Sequence, residues 1–248
     1  MSARPVPPFS AEHEQLRAEI RAFVAEELRP RAAEWEKARW FPDDVFTKMA
    51  ARGLLGLKYP AEYGGRGGGY VDDAVLAQEL SRCGSGGLAA GIGAHISIAT
   101  PPIWKFGTEE QKRRFLAPAI RGERIAALGI TEPGAGSDVA GIRTYARRVD
   151  GGYLVNGSKT YITNGVRADF VVTAVKTTEE GGHRGLSFLV IEKAMDGFSV
   201  SKKLEKLGWH ASDTAELAFE DVFVPEENLL GEENRGFYLI MANFQCKR

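Results

Sequence analysis

A chain of 248 residues has room for one large domain or two of ordinary size. Hydrophobic residues make up 44% and charged residues 26%, which is the balance of a folded globular protein rather than a disordered one. With 32 basic against 33 acidic side chains and a formal net charge of −1, no strong field draws the chain to nucleic acid or anionic lipid, and neither is expected as a partner.

The stretch Met1 to Phe9 carries one arginine and no apolar run, so it is not read as a secretory signal. From residue 10 to about residue 120 the pattern is helical. Leu16, Ile20, Phe23, Val24 and Leu28 recur on one apolar face, with Ser10 placed to cap the start and Pro30 placed to end or kink it. Phe46, Met49, Ala50 and Leu54 predict a second, shorter helix closing at Gly53 or Gly56. The glycine-rich run from Tyr63 to Tyr70 reads as a loop, after which Asp72 or Asp73 opens a helix with Val75, Leu76 and Leu80 turned inward. Leu88 to Ala99 is apolar but short of the roughly 18 residues of a membrane span, and it is interrupted by His95, so no span is expected and the chain is placed in the cytoplasm. Thr108 and Gln111 have the spacing of a capping box, and the helix they open should end near Pro118 and Gly122.

Beyond about residue 125 the period changes to two. Thr144–Val149, Tyr153–Val155, Ser158–Thr163, Phe170–Val175, Leu186–Ile191 and Ala215–Val224 read as short strands, with turns at Asp150-Gly151-Gly152 and Asn156-Gly157. The expected fold class is therefore α+β. An all-α helical domain (1–125) precedes an antiparallel β-barrel or sandwich (126–235), and a helical stub (236–248) follows. In that stub Phe237, Ile240, Met241 and Phe244 form an apolar stripe. Cys83 and Cys246 lie far apart and read as reduced packing residues. His13, His95, His183 and His210 show no metal or triad spacing.

Two segments stand out within this pattern. Gly129-Ile130-Thr131-Glu132-Pro133-Gly134-Ala135-Gly136-Ser137-Asp138 suits neither regular helix nor strand, and its glycines let the backbone reach positive φ and come close to a flat or anionic ligand. Lys159-Thr160-Tyr161-Ile162-Thr163-Asn164-Gly165 alternates like a strand and ends on a turn signal. Together they resemble the two flavin-wrapping segments of the acyl-CoA dehydrogenase family. Further landmarks of that family follow in the right order: Phe41-Pro42, Gly53 to Gly56, Pro60 to Gly65, Gly107 to Lys112 and Phe219 to Pro225.

The resemblance covers nearly the whole chain, and it implies FAD as cofactor and α,β-dehydrogenation of an acyl-CoA thioester to a trans-2-enoyl-CoA. It also implies electron-transferring flavoprotein as acceptor and a homo-oligomer for the complete family member. Carried over residue by residue, Leu128, Gly129, Ile130, Thr131, Gly136 and Ser137 form the first cofactor segment, and Tyr161, Ile162 and Thr163 the second. Thr131 would face the pyrimidine edge of the ring and Thr163 would bond near N5, while Ser137 and Arg248 match substrate contacts. Glu132 and Asp138 are tempting as an acid–base pair, but they match structural loop positions. A subset of the family places its catalytic glutamate just before an arginine, and here that position is Lys247, so no catalytic residue is assigned within the chain. Family members continue into a further helical domain, which makes a truncated enzyme the expected reading. The alternatives are a non-catalytic subunit completed by a partner, or an oxidase or monooxygenase on the same fold.

Overall fold

The computed structural model describes residues 8–178 and 182–245, and places them in two compact units. The first comprises residues 1–93 with 120–123 and 206–212, and the second 94–119, 124–205 and 213–248.

The first unit is built from helices. Helix α1 (Ala11–Phe23) buries Leu16, Ile20 and Phe23. The Ser10 hydroxyl accepts the His13 amide, and the His13 ring accepts the Ser10 N–H at 2.9 Å, so a histidine takes the place usually held by Glu or Gln in the capping box. The chain does not stop at Pro30. A π-helical turn (Val24–Leu28) and a 3-10 turn (Arg29–Arg31) carry it into α2 (Ala32–Ala38), with the proline in the first turn of the 3-10 segment, where its missing N–H is tolerated. Helix α3 (Asp44–Ala51) follows, and the glycine-rich run after Tyr63 is a loop as expected.

Helix α4 (Tyr70–Leu80) starts two residues earlier than the sequence suggests, because Asp72 caps it from inside. Its carboxylate accepts the Gly69 N–H at 2.7 Å. Helix α5 (Gly86–Gly93) begins at a cluster around Glu36, whose carboxylate accepts the Ser85 hydroxyl and the Gly87 and Ala211 amides. Burial opposes ionisation of Glu36, but these donors outweigh it and hold the carboxyl below its usual range.

The second unit joins short helices to the sheet. A π-helical turn (Ala94–Ala99) leads into α6 (Thr100–Phe106), and then come α7 (Glu109–Gln111) and the turns up to α8 (Ala117–Ile120). The capping box at Thr108 forms as read. The Gln111 amide donates to Oγ1 of Thr108 at 3.2 Å, and the Gln111 side chain accepts the Thr108 N–H at 3.0 Å. The same glutamine donates to the carbonyls of Glu227 and Leu229, which ties this turn to the sheet edge.

The strands are β1 (Ala126–Gly129), β2 (Tyr145–Val149), β3 (Gly152–Thr163), β4 (Phe170–Lys176), β5 (Leu186–Glu192), β6 (Phe198–Lys203), β7 (Thr214–Pro225) and β8 (Leu229–Leu230). They lie in the order β6-β7-β3-β2-β4-β5-β8, with β1 beside β4. Among the described residues no pairing joins β6 to β8, so the sheet is open rather than a closed barrel. Nor is it wholly antiparallel, since β1 runs parallel to β4 and β2 meets β4 through one parallel pair, Tyr145 with Lys176. The inward faces of β3, β4, β5 and β7, with Tyr153, Val155, Val171, Leu189, Leu217 and Val222, form the core.

Two sequence readings are corrected in this unit. Asn156-Gly157 is not a turn but lies inside β3 opposite a bulge of β7, where Val155 pairs with Val222 but Gly157 with Phe219, so that β7 carries one residue more. Gly157 takes φ 143°, and a Cβ there would meet the Thr144 backbone at 2.6 Å, while Asn156 exchanges hydrogen bonds with Asp221 across the strands. The C-terminal helix α9 (Gly236–Gln245) is turned relative to the predicted stripe: Leu239, Ile240 and Asn243 are buried, and Met241 is exposed. The Asn243 side chain donates to the carbonyl of Ile98 at 3.0 Å, so this helix finds its packing within its own unit.

Candidate functional site

The glycine-rich segment after β1 is a tight reversal. Glu132 and Ala135 exchange both backbone hydrogen bonds, at 2.9 and 3.1 Å, across Pro133-Gly134. Its glycines do not use the positive-φ freedom expected of them: Gly129, Gly134 and Gly136 all keep ordinary angles. Gly129 serves closeness instead, since a Cβ there would come to a tight 3.0 Å from the Val171 side chain. Positive φ falls in the second segment, on Tyr161 (φ 60°) and Asn164 (φ 65°).

The second segment leaves the β3 ladder at a bulge. Lys159 pairs with Leu217, but Ile162 pairs with Ala215, so β3 carries one residue more than β7 over this stretch. The extra residue turns Tyr161 outward to 69% exposure and leaves Ile162 facing inward, buried. The Thr160 N–H donates to the Thr131 carbonyl at 2.9 Å, which stitches the two segments side by side.

Their junction forms a cavity of about 190 Å³ lined by Leu128, Ile130, Thr131, Tyr161, Ile162 and Thr163, with Ala94, Ile98 and Phe244 closing it. Binding pockets for whole ligands run to roughly 300–1,000 Å³, so this space suits one end of a larger molecule. Six of the nine residues assigned to the cofactor from sequence come together here. Gly129 packs beneath them, whereas Gly136 and Ser137 lie on the exposed turn beyond the cavity, with open space around Gly136. Among the described residues no hydrogen bond engages the Thr131 or Thr163 hydroxyl, so both remain available to a ligand. Two hydroxyls and an aromatic ring over an apolar floor form a donor set fitted to a flat ring edged with acceptors. Arg248 and Lys247 lie outside the described residues.

Three wall residues were not singled out as site residues in the sequence. Ala94 and Ile98 are four apart on a π-helical turn, a geometry often found at functional sites, but the sequence has no mark of it. Phe244 belongs to the predicted apolar stripe and only its helix packing brings it to the cavity.

Three buried polar groups lie on the segments that line the cavity. The Lys159 ammonium is fully buried and donates to Glu132 Oε1 at 2.7 Å and to the Ile130 carbonyl at 3.1 Å. Glu132 also accepts the amides of Arg143 (2.6 Å) and Thr144 (2.9 Å). Burial pushes the Lys159 pKa down to about 8 against the pull of Glu132. For Glu132, burial raises the pKa, but Lys159 and the donated hydrogen bonds prevail and the net shift is downward. His95, also buried, accepts the Ala126 amide on Nδ1 at 3.0 Å and donates from Nε2 to the Ala119 carbonyl at 3.1 Å, which fixes its tautomer. Burial drives its pKa to about 4, so it is a neutral bracket between the π-turn and β1. No group of three or more potential metal ligands occurs among the described residues, and no described helix is long and apolar enough to cross a membrane.

Comparison with known proteins identifies the family. The family model for the acyl-CoA dehydrogenase N-terminal domain matches residues 10–123, and that for the middle domain matches residues 127–222. Mitochondrial isovaleryl-CoA dehydrogenase of Solanum tuberosum is 40% identical over 242 residues, covering 97% of this chain and 58% of the relative. The chain thus spans a little over half the length of that curated relative. A crystal structure of a probable acyl-CoA dehydrogenase from Mycobacterium abscessus superposes with a TM-score of 0.93 at 47% identity, over 96% of this chain and 63% of the other. A Bacillus anthracis acyl-CoA dehydrogenase complexed with FAD gives 0.89 at 35% identity, over 98% of this chain and 41% of the other. The chain belongs to the acyl-CoA dehydrogenase family, of which it carries the N-terminal and middle domains.

Proposed function

We propose that the cavity is one wall of a flavin site, and that this chain takes part in FAD-dependent α,β-dehydrogenation of an acyl-CoA thioester to a trans-2-enoyl-CoA, with electron-transferring flavoprotein as electron acceptor. The observation that carries the reading is the meeting of Thr131 and Thr163 with Tyr161 in one cavity, from segments separated by a whole hairpin. A structural relative bound to FAD supports it.

In this reading the Thr131 and Thr163 hydroxyls would hold the ring, and Ile130 and Ile162 would supply apolar lining that keeps water from it. The open turn at Gly136 and Ser137 offers backbone to the phosphate-bearing arm, and Ser137 and Arg248 serve the thioester. FAD, when bound, supplies the acceptance of hydride, while the protein supplies orientation and electrostatics. Glu132 is the carboxylate nearest in sequence to the ring-binding threonines, but it is not the α-proton base. It is engaged by Lys159 and two amides, and a carboxyl held below its ordinary pKa is a poor proton acceptor at neutral pH.

The test is a titration of FAD with the purified chain, followed in the visible spectrum. Binding should perturb the flavin band, and an acyl-CoA added without oxygen should shift it further. A spectrum identical to that of free FAD at saturating protein would overturn the reading.

A further inference from the structure

We propose that Lys159 and Glu132 form a positioning pair that pins the two cavity segments in one register, so that Thr131 and Thr163 hold their spacing before any ligand arrives. The proposal rests on the flavin reading for its consequence and on geometry for its substance.

Lys159 stands at the last regular pair of β3 before the bulge that turns Tyr161 outward. A bulge is where a strand can settle one residue either way, and a one-residue shift here would exchange Tyr161 with Ile162 and carry Thr163 away from the cavity. Packing alone selects poorly between such registers, because an apolar side chain at position 159 fills space without direction. The Lys159 ammonium has direction. One N–H goes to the Ile130 carbonyl, which fixes the backbone just before Thr131, and another goes to Glu132, just after it. Glu132 passes the constraint on, since its two oxygens take the Arg143 and Thr144 amides at the entry to β2, and Thr144 Oγ1 returns to the Ser158 carbonyl at 3.1 Å. The loop closes on itself: first segment, strand β2, strand β3, first segment.

An ion pair buried this deeply is weak evidence for stability, because well-packed apolar replacements often match it. Its best-attested use is to choose one register among several. Lys159 touches no ligand in this reading, so its role runs through Thr131 and Thr163.

Two variants of the intact chain test this. Lys159→Met alone leaves Glu132 buried without its cation, whereas the double variant Lys159→Met/Glu132→Gln removes both charges and should fold. Backbone amide exchange is read over residues 129–137 and 159–165, with β4 as internal reference. FAD affinity and the shape of the bound visible band are measured alongside. In the double variant, exchange at the Thr160 amide should speed at least tenfold while β4 stays protected. FAD should bind at least tenfold more weakly, with a band closer to that of free flavin.

Unchanged Thr160 exchange in a folded double variant would overturn the proposal. So would loss of β4 protection in that variant, which would make the pair a support of the whole sheet. If wild type itself leaves the flavin spectrum unperturbed, the flavin reading fails, and amide exchange still decides whether the pair sets the register.

Discussion

Two buried glutamates solve the same problem in different ways. In the helical unit, Glu79 on α4 is fully buried, and three arginines reach it: Arg17, 15% exposed, and Arg21 and Arg82, 53% and 60% exposed. The Arg21 hydrogen bond is the largest influence, and together the three hold the carboxyl below its ordinary range against burial. In the β unit, Glu132 is 7% exposed and has one cation, Lys159, at 0% exposure, with backbone amides taking the rest of its capacity. The first arrangement is redundant and wet at its rim. The second is single and dry. Redundancy tolerates the loss of a partner, and singleness does not, so the β-unit pair should be the fragile one and should transmit its loss to the cavity.

The largest expected effect follows from that singleness. Lys159→Met strands a carboxylate in the interior, which costs about 3–5 kcal/mol of stability. Urea unfolding at neutral pH checks this, and the double variant with Glu132→Gln should recover most of the loss. If the single variant is as stable as wild type, solvent reaches Glu132 and the contrast with Glu79 disappears.

That contrast was not legible in the sequence. Lys159 and Glu132 are separated by a hairpin, and nothing in their spacing announces contact, whereas the caps at Ser10 and Thr108 are written in four consecutive residues and form as read. The same divide runs through the fold. Strands β2, β4, β5 and β7 follow alternation or apolar runs, but β1 is four small or apolar residues paired along one flank to β4, and β8 is only two residues long, so neither has a period to read. Asn156-Gly157 carries the signal of a turn, yet pairing with β7 and the Asn156–Asp221 contact hold it within the strand, opposite a bulge of β7. Of the site, Thr131, Tyr161 and Thr163 could be found because their segments resemble a family pattern. Ala94, Ile98 and Phe244 are wall residues chosen for shape, and shape leaves no motif.

His95 sharpens the comparison with a buried polar ring held on both nitrogens by backbone groups. Its folded pKa of about 4 lies below the ordinary 6.5, so the unfolded chain takes up the proton first as pH falls. The contribution is fully present above pH 6.5 and is lost progressively as pH falls toward 4, amounting to ~3 kcal/mol over that window. Urea unfolding of wild type and His95→Gln at pH 7 and pH 4.5 isolates it, because titration of Glu79, Glu36 and Glu132 is common to both. The wild type should lose more stability on acidification than the variant. Parallel losses would mean that His95 is hydrated in the folded protein.

Thr163 extends the argument from stability to function. Thr163→Val keeps shape and β-propensity, and it removes a hydroxyl with no described protein partner. Folding stability should therefore stay within about 0.5 kcal/mol of wild type. If the hydroxyl orients the flavin, then in a form of the chain completed by a further helical domain that carries the base, reduction of bound FAD by acyl-CoA should slow by an amount worth about 1–3 kcal/mol of lost transition-state stabilisation. Stopped-flow reduction measures it, and equal rates in variant and wild type would make Thr163 a strand residue only.

The smallest effect is the most direct check on redundancy. Arg82 reaches Glu79 at 3.1 Å from three residues along the chain, and most of its side chain is in water. Removing it in Arg82→Ala leaves Arg17 and Arg21 on the carboxylate, with the Arg21 Nε and Nη2 groups on its two oxygens at 2.9 Å each. No buried charge is stranded, so the change should lie in the range of exposed ion pairs, about 0–1 kcal/mol. Thermal and urea unfolding of Arg82→Ala beside Lys159→Met place the two carboxylates on one scale. A loss for Arg82→Ala approaching that of Lys159→Met would mean the three arginines act as a unit, each required to offset burial of Glu79, and redundancy would then fail as the reason one pair is robust and the other fragile.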